Sequence, residues 1–273
     1  MPAESEKKKR GYPMIEPILS LMRQAGEIMK SARDIERGVE VKEGEANFVT
    51  VYDSAVQKFL FEKLAELFPD AAFVGEEDSA DDIKRLTSGR AFVIDPIDGT
   101  TNFIRHFGHS CISVALCENG ETVLGVVYNP YTDEAYCAEK GKGACLIRGE
   151  TRRPLKVSDQ PLSNGLSLVG TAPYYAELHE RTFDAMRTLF DRSLDVRRCG
   201  SAALDLCLIA DGRAEVYVEL LLSPWDYAAG MLIVREAGGI VTRADGSDVV
   251  LTEKCSVLAG NPRAYAEALR LNL

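Results

Sequence analysis

The chain has 273 residues, is 46% hydrophobic and 27% charged, and carries a net charge of −10 from 42 acidic and 32 basic side chains. That composition is globular, with enough apolar residues for a large core in one domain or two packed halves. It excludes generic electrostatic binding to nucleic acid, since no basic stripe with interleaved aromatics is present, and no apolar run approaches the ~20 residues that cross a bilayer.

The elements follow in chain order. Lys7-Lys8-Lys9-Arg10 leads into Pro13, Glu16 and Pro17 rather than the apolar core of a signal peptide, so residues 1–13 are expected to be a solvated, frayed terminus. Met14, Ile15, Ile18, Leu19, Met22, Ala25, Ile28 and Met29 recur at helical spacing. Residues 38–48 read as an exposed loop or short hairpin. A second amphipathic helix is expected over 53–67, stopped by Pro69. A short strand over 71–74 ends at Gly75-Glu76-Glu77-Asp78, and 79–86 reads as a short helix or polar loop.

From Ala91 the chain turns β-rich. Strands are expected at 91–94, 111–117, 122–128, 134–138, 145–147 and 155–157, with Asn119-Gly120 as a hairpin signal. Beyond residue 160 strands and helices alternate: strand 166–169, helix 175–190, strand 194–196, a helix over 201–210 capped by Ser201, strand 214–220, helix 226–236, strands 240–242 and 256–259, and a terminal helix from Pro262. The order reads as a layered α/β sandwich, with an α+β half over about 14–160 and an α/β half over about 161–273.

The chemistry concentrates at Phe92-Val93-Ile94-Asp95-Pro96-Ile97-Asp98-Gly99-Thr100-Thr101-Asn102-Phe103. An apolar run ends in two carboxylates, placing both where a strand leaves the core. Such close negative charges repel unless protons, arginines or cations compensate them, and hard cations such as Mg²⁺ favour carboxylate and carbonyl oxygens. Backbone N–H groups and hydroxyls at Gly99 to Thr101 add a cradle for phosphate oxygens. Glu76, Glu77, Asp226 and Glu219 also sit beside apolar runs. Each taken singly reads equally as a cap or a surface charge, with Asp226 placed to cap its helix.

Together with Gly75-Glu76-Glu77, Gly125-Val126-Val127-Tyr128-Asn129-Pro130, Gly200-Ser201-Ala202-Ala203-Leu204-Asp205-Leu206 and Trp225-Asp226-Tyr227-Ala228-Ala229-Gly230, this motif resembles the inositol monophosphatase family over roughly residues 14–270. The resemblance implies an αβαβα sandwich of the inositol monophosphatase and fructose-1,6-bisphosphatase type. It also implies a Mg²⁺-dependent, Li⁺-sensitive phosphomonoesterase with two or three ions per site, forming a homodimer. It assigns Glu76, Asp95, the Ile97 carbonyl, Asp98 and Asp226 to metal, Glu77 to a supporting role, and Glu76 with Thr100 to orienting the attacking water. Gly99 and Thr100 would contact phosphate, Ala202 and Glu219 the substrate, and Lys42 and Asp53 a mobile loop that some members use for a third metal. The expected reaction is hydrolysis of a small phosphate monoester, with myo-inositol 1-phosphate as the default, by direct attack of a metal-activated water. No serine, cysteine or aspartate stands out as a nucleophile for a phosphoenzyme.

Thr101, where the 3′-phosphonucleotide phosphatases usually carry lysine, argues against that branch. Leu221, where many inositol phosphatases have glycine, keeps fructose 1,6-bisphosphate, histidinol phosphate and NADP as alternative substrates. A non-catalytic interaction protein is the reading from another class, and the intact acids weigh against it.

The remaining signals have plainer readings. The seven cysteines contain no CxxC pair and are expected as buried free thiols in a reducing cytoplasm. His106, His109 and His179 lack zinc-site spacing. Gly141-Lys142-Gly143-Ala144 lacks the phosphate-loop pattern and reads as a turn. Trp225 reads as a core residue orienting Asp226. Arg197 and Arg198 are open to a cleft contact or a salt bridge, and Tyr174 and Tyr175 to pocket lining or packing at a helix start.

Overall fold

The structure is a computed structural model that describes residues 14–33, 35, 39–41, 48–78, 80–171 and 176–273. Its helices are α1 (Ile15–Ser31), α2 (Val51–Leu67), α3 (Thr100–Ile104), α4 (Ala176–Phe190), α5 (Ala202–Ala210), α6 (Pro224–Glu236) and α7 (Pro262–Leu269). A hairpin of β1 (Val39–Val41) and β2 (Phe48–Thr50) precedes α2, and a 3-10 helix spans Ala80–Thr87.

Seven strands form the first large sheet: β3 (Ala72–Gly75), β4 (Arg90–Asp98), β5 (Cys111–Glu118), β6 (Glu121–Asn129), β7 (Glu134–Glu139), β8 (Ala144–Arg148) and β9 (Thr151–Pro154). They lie in sequence order, β3 parallel to β4 and every other neighbour antiparallel. The second sheet runs in the order β11 (Asp195–Arg197), β10 (Leu166–Val169), β12 (Val216–Leu222), β14 (Cys255–Gly260), β13 (Ile240–Thr242). β10 is parallel to both its neighbours, and β14 is antiparallel to both of its own.

Three apolar clusters turn the sheets into layers. One face of the seven-stranded sheet packs Phe92, Ile94, Val114 and Val126 against α1 and α2 through Ile18, Met22, Val56 and Leu60. Its other face, through Val93, Ala115 and Val127, meets α5 and α6, which also touch Tyr217, Val257 and Ala259 of the second sheet. The outer face of that sheet packs Val169, Val218 and Leu258 against α4 and α7. The sequence of layers is therefore helix, sheet, helix, sheet, helix, as the family pattern implies.

β4 to β6 read as near-continuous apolar runs because both faces of their sheet are covered. α6 is buried on almost every side for the same reason. Its small residues allow close approach: a Cβ on Gly125 of β6 would lie 2.7 Å from the Ala229 carbonyl oxygen.

Four local details differ from the sequence reading. β4 does not stop at Ile94 but continues through both aspartates, with a register shift between Asp95 and Asp98. Glu219 lies inside β12 rather than at its end. Leu155 to Val157 forms no strand; the sheet edge is Thr151–Pro154, a polar, exposed run of the kind that blunts edge pairing. The N-cap of α6 is Ser223, and Asp226 sits at the third helical position, its carboxylate accepting from Ser223 N–H at 2.6 Å to close a capping box.

Candidate active site

Of the acids expected at strand ends and helix starts, all but Glu77 line one cleft between the two sheets, which holds about 140 Å³ of free space. β3 delivers Glu76, whose N–H donates to the Ile94 carbonyl at 3.2 Å and so places it beside the end of β4. The turn after β3 is held from behind. Gln57 of α2 accepts from Glu77 N–H at 3.1 Å and donates to Asp78, which accepts from Gly75 N–H at 2.9 Å.

The irregularity in β4 aims both its aspartates into the cleft. Ile97 N–H folds back onto Asp95 Oδ1 at 3.0 Å, and Thr100 Oγ1 donates to the Ile97 carbonyl at 3.2 Å. Such bulges re-aim side chains that strict alternation would send to opposite faces. Gly99 follows with φ of +87°, and a Cβ there would lie 3.0 Å from the Gly200 carbonyl oxygen; glycine meets both demands.

Asp98 has the most hydrogen bonds of the group. It accepts from Ser201 Oγ at 2.5 Å, from the N–H groups of Ala202 at 3.3 Å and Ala203 at 2.8 Å, and from Cys111 Sγ at 3.6 Å. The resemblance assigns Ala202 a backbone contact to substrate; its N–H points at Asp98. Asp226 enters from the first turn of α6, while Trp225 packs partly buried against the core and its carbonyl accepts from Ser113 Oγ at 3.3 Å.

Asp95, Asp98 and Asp226 each bring a carboxylate oxygen within 4.8 Å of the other two. Burial and the charges of Glu76, Asp98 and Asp226 push Asp95 well above the usual carboxylate range. Burial, Glu76 and Asp98 do the same to Asp226. Burial also raises Asp98, but its four hydrogen bonds pull the other way. Crowded acids of this kind either hold protons or hold cations. The donors are oxygens alone, which suits a hard divalent ion such as Mg²⁺.

On the opposite wall, Glu219 is pushed up to about 7 by burial, while the Tyr217 hydroxyl, donating at 2.6 Å, favours its ionised form. Gly170 gives this carboxylate its room: a Cβ there would lie 1.9 Å from Glu219 Oε2. The register of β12 shifts between Glu219 and Leu222, and Leu222 rather than Leu221 lines the cleft. Regular alternation would have put Leu221 on Glu219's face.

Arg198 lines the cleft with Nε donating to Thr171 Oγ1 at 2.9 Å, whereas Arg197 pairs with Asp195 at 2.5 Å. Asp53 is pushed up to about 7, mostly by burial, and accepts from Thr50 in the cap of α2. Lys42, Tyr174 and Tyr175 lie outside the described residues. The Gly141-Lys142-Gly143 turn is filled by the chain's own Glu236, which accepts from Gly141 and Gly143 N–H at 2.7 Å each. All seven cysteines are free thiols, six of them buried.

Gln57, Asp78, Ser201, Tyr217 and Gly170 were not among the expected site residues. Ser201 carried a local signal as a cap, Tyr217 and Asp78 act on residues two and three positions away, and Gln57 and Gly170 act through partners distant in sequence.

A profile of the inositol monophosphatase family matches residues 12–271. The chain is 36% identical over 265 residues to the protein named Nus factor SuhB of Escherichia coli, covering 94% of this chain and 95% of that one. It is also 36% identical over 245 residues to inositol-1-monophosphatase of Bacillus subtilis, covering 89% and 90%. A crystal structure of the extragenic suppressor protein SuhB from Bartonella henselae superposes with a TM-score of 0.83 at 30% identity, covering 95% and 98%.

Proposed function

Since the chain belongs to the inositol monophosphatase family, we propose that it is a Mg²⁺-dependent phosphomonoesterase whose default substrate is myo-inositol 1-phosphate. The observation that carries this reading is the convergence of Asp95 and Asp98 from β4 and Asp226 from α6 on one cleft that also receives Glu76. A chain kept only for docking has no need of three carboxylates crowded against their own repulsion.

Glu76, Asp95, the Ile97 carbonyl, Asp98 and Asp226 would hold the ions. When bound, Mg²⁺ neutralises the phosphate oxygens, acidifies water and stabilises the leaving alkoxide. The chain's own part is positioning. Gly99 and Thr100 open α3, where the first N–H groups lack intrahelical acceptors and are available to phosphate oxygens. Glu76 and the Thr100 hydroxyl would orient the attacking water, with Ile97 as the fixed acceptor that now holds that hydroxyl. Asp98 is locked by Ser201 and the start of α5, so it keeps its direction while the substrate turns over. Glu219, braced by Tyr217, would accept hydrogen bonds from hydroxyls of a polyol leaving group, with Ala202 near the same end. Arg198 offers a cation to any further anionic group on the substrate.

A second reading is favoured by one specific likeness, the 36% identity to a protein named Nus factor. On that reading the chain also serves a macromolecular partner. A phosphate-release screen over small phosphomonoesters, with and without Mg²⁺ and Li⁺, separates the two. Mg²⁺-dependent release that Li⁺ suppresses, fastest with an inositol phosphate, is the expected result; no release from any compound would leave only the partner role.

A further inference from the structure

At the edge of the cleft, which Asp205 also lines, His109, Cys199 and Asp205 bring a ring nitrogen, a sulfur and a carboxylate oxygen within 4.8 Å of one another. His109 precedes β5, Cys199 precedes α5, and Asp205 lies in the first turn of α5. Asn102 holds the two segments together, its Nδ2 donating to the carbonyls of His109 at 2.7 Å and Cys199 at 2.8 Å. The cluster is thus positioned by backbone contacts that its own side chains do not supply.

Two of its atoms are unsatisfied. His109 Nε2 and Asp205 Oδ1 are buried, without a hydrogen-bond partner, and face each other across 4.0 Å. Asp205 is only 1% exposed. An orphaned buried carboxylate oxygen is unfavourable, and 4.0 Å is too long for a direct hydrogen bond to relieve it. A ligand between His109 Nε2 and Asp205 Oδ1 would satisfy both.

We propose that His109, Cys199 and Asp205 form a second metal site, selective for a borderline-soft divalent cation of the Zn²⁺ class and separate from the carboxylate cluster. Thiolate and imidazole donors select such ions over Mg²⁺, which the all-oxygen cluster suits instead. Zinc bonds of about 2.0–2.3 Å at tetrahedral angles put donors roughly 3.3–3.7 Å apart, so the three side chains need to close by no more than about 1.5 Å. Three protein ligands leave the fourth position for water.

The neutral His109 ring suits a metal, while Cys199 and Asp205, the latter raised well above the usual carboxylate range by burial, would each give up a proton on binding. Burial, and to a lesser degree the charge of Arg213, lowers the His109 pKa and favours the neutral ring that binds metal. Burial and Asp205 push the Cys199 thiol up to about 12. Binding therefore replaces the S–H bond with a metal–sulfur bond and releases that proton to solvent. The bound ion would tie the segment before β5 to the start of α5, beside Ala202.

The test is a titration of the whole protein with Co²⁺, a spectroscopic stand-in for Zn²⁺, under saturating Mg²⁺ to occupy the carboxylate cluster. A thiolate-to-cobalt charge-transfer band reaching one equivalent is expected, and excess Zn²⁺ should abolish it. Cys199→Ser should remove the band, and His109→Ala should weaken Co²⁺ binding at least tenfold while both variants melt within a few degrees of the parent. Absence of the band in the parent chain would overturn the site and assign the gap to a bridging water. A band that survives Cys199→Ser, or an affinity unchanged by His109→Ala, would overturn it equally.

Discussion

Asp98 accepts a 2.5 Å hydrogen bond from Ser201, a residue 103 positions further along the chain, and the same carboxylate accepts the Ala203 N–H at the start of α5. One acid of the cleft is thereby built into the N-terminus of a helix, where exposed N–H groups and the helix dipole favour negative charge. Of the three clustered aspartates it is the one whose ionised form the fold supports most. Ser201 also caps α5 itself through Leu204 N–H.

Replacing Ser201 with alanine removes both roles. A lost cap costs about 1 kcal/mol and a lost hydrogen bond to a carboxylate about 1.5–3 kcal/mol. Ser201→Ala should lower the melting temperature by roughly 5–16 °C, at about 2–4 °C per kcal/mol for a chain of this size, and weaken Mg²⁺ binding. Thermal melting with and without Mg²⁺ checks both effects; an unchanged midpoint would mean that the Ser201 contact contributes nothing.

The crowded acids make the metal-free protein sensitive to alkali. Asp95 and Asp226 are raised well above their ordinary values, and Asp53 and Glu219 are raised to about 7. A carboxyl whose folded pKa lies above its unfolded value of about 4 binds its proton more tightly in the fold. Its contribution is complete below about pH 4 and is lost as pH rises through the folded value. Melting in a chelator should therefore fall by several degrees between pH 5 and pH 8, and added Mg²⁺ should raise the midpoint most at the alkaline end. Equal metal-free midpoints at both pH values would rule this account out.

Glu219 depends on two neighbours that make no chemistry of their own. Tyr217→Phe removes the 2.6 Å donor that favours the carboxylate, so a larger fraction of Glu219 stays protonated at neutral pH. The loss is on the order of 1–3 kcal/mol, about 5- to 150-fold in KM for a polyol phosphate, with kcat little changed. Gly170→Ala, whose Cβ would collide with Glu219 Oε2, should act in the same direction. Steady-state kinetics on both variants decide it; a drop in kcat with KM preserved would place Glu219 in the chemical step instead.

Periodicity and turn chemistry are enough to locate every α-helix except the five-residue α3, and most strands, because each buries an apolar face against one layer. They failed where the backbone departs from regularity. The bulge that carries β4 through Asp95 and Asp98 leaves an apolar run ending in acids, which looks like a strand terminus. The matching shift in β12 moves Leu222 into the place that alternation gives to Leu221. Ser223-Pro224-Trp225-Asp226 spells a capping box, a signal that was present but assigned to Asp226 alone. Glu76, Asp95, Asp98, Glu219 and Asp226 were legible because acids beside apolar runs are conspicuous. Gln57 behind Glu77 and Tyr217 behind Glu219 are ordinary residues in ordinary elements, and only the three-dimensional packing gives them their positions.

The account rests on Asp95 as the centre of a metal-dependent hydrolytic site, with burial and four neighbouring acids raising its pKa. The most direct test is phosphate release from myo-inositol 1-phosphate in saturating Mg²⁺ by the parent chain and by Asp95→Asn, an isosteric change that relieves repulsion and should leave the fold intact. The prediction is a fall in kcat on the order of 10²–10³, the scale seen when one electrostatic stabiliser of a transition state is removed, with the melting temperature of the metal-free variant equal to or above that of the parent. A folded Asp95→Asn protein that releases phosphate at near the parent rate would contradict it.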